Sequence, residues 1–133
     1  MKLDYKSVQA AAERIEAFIN YTPVVTSEKL DDLADCSLFF KCENLQKAGA
    51  FKSRGAVNWI MSLDAKALVK GVATHSSGNH GAALARAAAL TGTAAYIVVP
   101  NNAKQVKQDA IRSYGGQVIL CEPTLDARQA KLE

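Results

Sequence analysis

The sequence predicts an α/β fold: a parallel sheet with helices on both faces, preceded by an N-terminal segment of different character. Three observations predict it. From about residue 53 onward, helical apolar periodicity alternates with short continuous apolar runs, the pattern of βαβ units whose strands are buried on both sides. Pro100, Gly115-Gly116 and Pro123 punctuate these segments. The chain has 133 residues, 49% apolar and 22% charged, an ordinary globular composition on a length close to one domain of ~150 residues.

Each element has a local reason. Residues 4–19 read as a helix, because Val8, Ala11, Ala12, Ile15, Phe18 and Ile19 recur at three- and four-residue spacing. Thr22-Pro23 ends it, since the residue before proline disfavours helix. Val24–Thr26 reads as a short strand, Glu28–Ala34 as a helix with Ser27 as N-cap, and Leu38–Cys42 as a strand. Residues 53–63 are helical, with Ala56, Val57, Ile60 and Met61 on one face. Val72–His75 is a strand and Gly78–Leu90 an alanine-rich helix. The strand Ala95–Val99 is closed by Pro100, and the helix Lys104–Tyr114 is stopped by Gly115-Gly116. Val118–Cys121 is a strand, and Thr124–Lys131 begins a last helix. The crossovers between parallel strands are expected to be right-handed.

Composition excludes several classes. The net charge, 16 − 13 = +3, comes from scattered basic residues, so nothing points to nucleic acid. No apolar run approaches the ~18 residues of a membrane span. The charged N-terminus argues against a secretory signal. Cys36, Cys42 and Cys121 are an odd count without CxxC spacing, which disfavours a disulfide framework or structural zinc and fits a reducing cytoplasm. Cys42 and Cys121 read as core residues, and Trp59 and Tyr96 as packing residues.

Two loops carry candidate chemistry. In the first, Lys47-Ala48-Gly49-Ala50-Phe51-Lys52-Ser53-Arg54-Gly55, a lysine stands where a helix begins. The positive end of the helix dipole, and burial beside Phe51, would both disfavour its ammonium and leave a nucleophilic amine. As one of eleven lysines, Lys52 also reads as a solvated surface residue on spacing alone. The second loop, Thr74-His75-Ser76-Ser77-Gly78-Asn79-His80-Gly81, follows a strand and opens a helix. In open α/β sheets ligands bind at this edge, where free backbone N–H groups suit a carboxylate or phosphate. Capping of the helix by Ser77 or Asn79 is the plainer alternative. His75 and His80, five apart, lack the i, i+4 spacing of a helical metal pair, and His80 reads as a hydrogen-bonding support for the loop. Neither a Walker lysine nor GxGxxG is present, which disfavours a nucleotide site.

Taken in order, Gly49-Ala50-Phe51-Lys52-Ser53-Arg54-Gly55-Ala56 and Ser76-Ser77-Gly78-Asn79-His80-Gly81 resemble the fold-type II pyridoxal-phosphate enzymes. The branch is that of the serine racemases, serine/threonine dehydratases and hydroxyaspartate ammonia-lyases. Tyr21-Thr22-Pro23, Lys41-Cys42-Glu43-Asn44 and Gly115-Gly116 extend the resemblance along the chain. It implies a racemase or ammonia-lyase acting on serine, threonine or hydroxyaspartate through a Lys52 aldimine. It also implies that Phe51 packs beside the cofactor ring and that Asn79 meets its phenolic oxygen. Ser76, Ser77, Gly78, Asn79 and His80 would hold the substrate carboxylate, and Ser77 would be the acid/base on the face opposite Lys52. Ala48 and Ala50 stand where threonine and serine are frequent in such proteins.

The resemblance carries expectations about organisation too. Family members are far longer. Residues 1–50 correspond to a segment that packs on the family's large domain, and residues 51–133 to most of the small α/β domain. The glycine-rich phosphate loop, the residue facing the pyridine nitrogen and the acidic residues of the family's divalent-metal site have no counterpart here, so no metal ligand is assigned. A truncated chain, binding the cofactor weakly or not at all, is the alternative to a complete enzyme. The unpartnered apolar stripe of Val8, Ile15, Phe18 and Ile19 leads to an expected homo-oligomer or swapped dimer.

Overall fold

A computed structural model describes residues 4–133. The first helix, α1, spans Tyr5–Ile15 and begins where the Asp4 carboxylate accepts the Ser7 N–H at 2.8 Å. It is shorter than the apolar spacing predicts, because the chain tightens into a 3-10 turn at Glu16–Phe18. Ile15 joins the core with Phe18 and Ile19 packed against it, whereas Val8 is exposed. The expected apolar stripe is therefore covered at one end only. Arg86 donates to the Phe18 carbonyl at 2.9 Å and fixes that end to the rest of the fold.

Residues 20–45 form an arm. Strands β1 (Val24–Val25) and β2 (Phe40–Lys41) pair antiparallel, with Val24 opposite Lys41, and enclose helix α2 (Glu28–Ala34). Both strands are shorter than the apolar runs predict. Ser27 occupies the N-cap position of α2 without a side-chain capping bond. Two buried polar residues secure the arm. The Gln46 side chain accepts from the Asn20 and Lys47 N–H groups at 2.8 and 2.9 Å, and donates to the Asn20 carbonyl at 2.8 Å. Thr22 donates to Glu43 at 2.5 Å, and Glu43 receives two bonds from Arg54, at 2.9 and 2.7 Å.

The remainder is the expected α/β unit. Helix α3 (Lys52–Met61) is followed by α4 (Ala65–Lys70), which the sequence reading missed. Strands β3 (Val72–His75), β4 (Ala95–Pro100) and β5 (Gln117–Cys121) form a parallel sheet in that order, with Thr74 opposite Ile97 and Ile97 opposite Val118. Helices α5 (Asn79–Ala89) and α6 (Gln105–Ser113) make the crossovers, and α7 (Leu125–Leu132) lies against the strands. The central strand is buried throughout its second half: Ile97 and Val99 pack in the core with α5, while Val98, pointing the other way, is also buried. A strand covered on both faces is the reason the run reads as continuously apolar. Cys42 and Cys121 are half-buried, and Trp59 and Tyr96 keep substantial exposure, so none belongs to the innermost core.

Glycine sets two close approaches. A Cβ on Gly81 would lie 2.8 Å from Ile97 Cγ2, so any larger residue there forces α5 away from β4. Gly115 (φ +81°) and Gly116 close α6 with a Schellman pair, their N–H groups donating to Arg112 and Ile111 carbonyls. No helix among the described residues is long and apolar enough to cross a membrane.

Candidate active site

The site lies at the carboxyl edge of the sheet, where the β3–α5 loop meets the start of α3. Lys52 is the first residue of α3. The turn before it, Lys47–Gly49, holds Ala48 and Gly49 at φ +55° and +65°. That conformation is costly for alanine, by about 1 kcal/mol. It is held because the buried Ser53 hydroxyl donates to the Lys47 carbonyl and Gln46 accepts the Lys47 N–H. The segment is thus pinned on both sides of Lys52. The Lys52 ammonium sits 4.9 Å from the centre of the Phe51 ring. Both side chains are exposed, so the burial that the sequence reading invoked for Lys52 is not present in this chain. The helix start contributes the positive dipole end that the sequence placed there.

The second loop differs from the expected cap. Neither Ser77 nor Asn79 caps α5. The cap position is Gly78, and the capping oxygen comes from Ser76, whose hydroxyl accepts from the N–H groups of Gly78 at 3.2 Å and Gly81 at 3.0 Å. Ser76 therefore builds the loop, and its own N–H is taken by the Val98 carbonyl. Among the described residues, the N–H groups of Ser77, Asn79 and His80 donate to no protein acceptor. Three unclaimed donors at the start of an eleven-residue helix form a cradle for an oxyanion. Ser77 and Asn79 are exposed at its mouth.

The two loops face each other. Helices α3 and α5 pack side by side, and the Lys52 charge acts on His80, the second residue of α5. His80 is held below its ordinary imidazole range, first by burial, then by the nearby Lys52 and His75. It lines a cleft of about 230 Å³ with Gly55, Trp59, Thr74 and Leu84. Phe51 and Lys52 thus stand at the start of α3, and Ser76, Ser77, Gly78, Asn79 and His80 at the start of the α5 that packs against it; of these, His80 lines the cleft.

Several residues escaped the sequence reading. Lys107, on α6, donates to Asn79 Oδ1 at 2.7 Å. Its first-turn position on a helix that follows a strand at the same sheet edge is a signal only once the sheet order is known. The Thr22–Glu43–Arg54 cluster joins three of the quoted motifs behind the Lys52 turn. The Arg54 guanidinium, helped by Thr22 and Lys41, lowers the Glu43 carboxyl to about 2 against the opposing effect of burial.

A lysine on a pinned helix start beside free backbone N–H groups at the carboxyl edge of a parallel sheet places a cation and oxyanion donors where open α/β sheets bind ligands. The profile of the pyridoxal-phosphate dependent enzymes matches residues 15–133, and the chain belongs to that family. It is 54% identical over 126 residues to a serine racemase of Arabidopsis thaliana, covering 95% of this chain and 38% of that protein. It is 49% identical over 125 residues to a β-hydroxyaspartate dehydratase of Paracoccus denitrificans, covering 94% and 40%. The structure of maize serine racemase superposes with a TM-score of 0.94 at 45% identity, covering 99% of this chain and 40% of the other. The chain spans about two fifths of the length of the relatives it matches.

Proposed function

We propose that this chain is the lysine- and carboxylate-binding part of a pyridoxal-phosphate-dependent racemase or ammonia-lyase acting on serine, threonine or hydroxyaspartate. The observation that carries the reading is the packing of α3, which begins at Lys52, against α5, at whose start the N–H groups of Ser77, Asn79 and His80 are free. The donor set fits the cofactor's aldehyde end: Lys52 Nζ would be the attachment point, Phe51 would flank the ring, and the Asn79 NH₂, with two hydrogens, would offer one to the phenolic oxygen and leave the other to the cradle. When bound, the cofactor supplies an electron sink that acidifies the substrate Cα–H.

The chain's own residues do the rest. The cradle of residues 76–80 holds the substrate carboxylate and so fixes the orientation of Cα. Lys52 Nζ accepts or returns the Cα proton on one face, and Ser77 Oγ does so on the other. Transfer on both faces inverts the centre; transfer on one face with loss of a β-hydroxyl gives ammonia-lyase chemistry. Burial first, then Lys52 and His75, disfavour the charged form of His80, whose part in the cradle is its backbone N–H.

A second reading has support in the chain's length relative to its relatives. On this reading the groups that hold the cofactor phosphate, face the pyridine nitrogen and bind a divalent metal have no counterpart among these residues, and this chain alone binds the cofactor weakly or not at all. In that organisation residues 1–50 belong with the large domain and residues 51–133 form the small one. Exposed Tyr21, Leu33 and Phe39 support association with a second copy or a swapped arm; a monodisperse monomer in sedimentation would count against it. A cytoplasmic setting is supported by three free cysteines.

The discriminating experiment is deuterium exchange at Cα of L-serine, a step common to both reactions. With pyridoxal phosphate added, the chain is expected to exchange deuterium faster than free cofactor, and Lys52→Ala to fall to background. Background exchange by the unaltered chain would reject the active-enzyme reading and leave the incomplete-part reading.

A further inference from the structure

Lys107 lies outside every motif that carries the family resemblance, yet it makes a charged contact with the loop. It sits in the first turn of α6, on the crossover after β4, and reaches across to the first residue of α5. Its ammonium donates to Asn79 Oδ1 at 2.7 Å, bridging 28 residues of sequence. An ammonium has three donors and no acceptor. The contact therefore dictates which end of the Asn79 amide meets Lys107: the oxygen must. The amide's NH₂ is then the end left for the mouth of the loop. Were the amide turned over, its oxygen would face the incoming anion and two N–H donors would meet a cation.

We propose that Lys107 is a positioning residue of the carboxylate cradle, locking the Asn79 amide so that its NH₂ joins the free N–H groups of Ser77, Asn79 and His80. This rests on the reading of residues 76–80 as the carboxylate site. Lys107 acts through Asn79 and touches no reacting atom. Its positive charge also lies beside the helix start, where it reinforces the field that draws an anion in. Arginine keeps donors and charge at this place; methionine keeps the length and removes both.

The test is an NMR titration of the ¹⁵N-labelled full chain with L-serine at fixed ionic strength, following the amides of Ser77, Asn79 and His80 and the Asn79 side-chain NH₂. In the unaltered chain these signals are expected to move together with one dissociation constant. Lys107→Met is expected to weaken that constant by about five- to tenfold, the net worth of one solvent-exposed hydrogen bond, and to shift the Asn79 NH₂ pair before ligand is added. Lys107→Arg is expected to restore both. Lys104→Met removes the same charge from the exposed residue just before α6 and is expected to change the constant less than twofold. Unchanged core signals, such as the Ile111 methyl groups, report that each variant is folded. Equal binding by Lys107→Met and the unaltered chain would overturn the proposal alone. Equal weakening by Lys107→Met and Lys104→Met would overturn it in favour of general charge attraction. No response of the loop amides in the unaltered chain would overturn the carboxylate reading and the proposal together.

Discussion

Gly81→Ala links packing to the site most sharply. Gly81 is the third residue of α5, directly over the central strand. An added Cβ would lie 2.8 Å from Ile97 Cγ2, 3.1 Å from Ile111 Cδ1 and 3.4 Å from Ser76 Cβ. Relaxed carbon contacts are about 3.5–4.0 Å, so the first two are compressed. Ile97 and Ile111 are both fully buried, and neither side chain can swing into solvent. Overpacking of this kind costs about 1–3 kcal/mol, while replacing a helical glycine by alanine returns up to about 1 kcal/mol. The net is a loss of about 1–2 kcal/mol. At roughly 3–6 °C per kcal/mol for a domain of this size, Tm falls by about 3–12 °C. The displacement also bears on Ser76, whose hydroxyl holds the Gly78 and Gly81 N–H groups, so the cradle distorts as the helix lifts. Gly55→Ala is the control: nothing lies within 4 Å of its Cβ position, and it is expected to stabilise by about 0.5–1 kcal/mol. Circular dichroism melts of the two variants decide the matter. A Gly81→Ala chain melting at or above the unaltered protein would refute the packing argument.

Two further predictions concern the arm. Glu43 is lowered from 4.5 to about 2 in the folded chain, so its stabilisation is fully present above pH 4.5 and is lost as pH falls toward 2. Allowing for the partial exposure of Arg54, the effect is about 1–2 kcal/mol; the difference in urea midpoint between the unaltered chain and Glu43→Gln is expected to shrink over that range, and a constant difference would contradict the assignment. Gln46→Ala removes three bonds from a buried side chain, leaving the Asn20 and Lys47 N–H groups unpaired at a cost of about 2–4 kcal/mol, and amide exchange at those two residues is expected to accelerate.

What the sequence disclosed follows from the physics of each segment. Val72–His75 was read with its observed bounds, and the runs at 95 and 118 to within a residue, because strands buried on both faces cannot tolerate polar interruptions. Helix α4 was missed because six residues are too few to show a period, although Asp64 accepting the Ala67 N–H is a start signal of the usual kind. The apolar run 38–42 overstated β2, since only Phe40 and Lys41 find a partner in the two-residue β1. At the site, Lys52 and the serine loop were visible as motifs. Their supports were not: Gln46 reaching Asn20 and Lys107 reaching Asn79 join segments 26 and 28 residues apart, and the local bonds of Ser53 to Lys47 and of Ser76 to the Gly81 N–H were hidden because several neighbouring Ser and Asn side chains could make them equally well.

The central claim is that Lys52, among eleven lysines, is the one set to bond the cofactor's aldehyde. Borohydride reduction of the chain after incubation with pyridoxal phosphate, followed by peptide mapping, tests it most directly. The account predicts that the peptide containing Lys52 carries most of the label, and that Lys52→Ala loses it without a compensating rise elsewhere. Label spread evenly over the exposed lysines, with Lys52 undistinguished, would contradict the account.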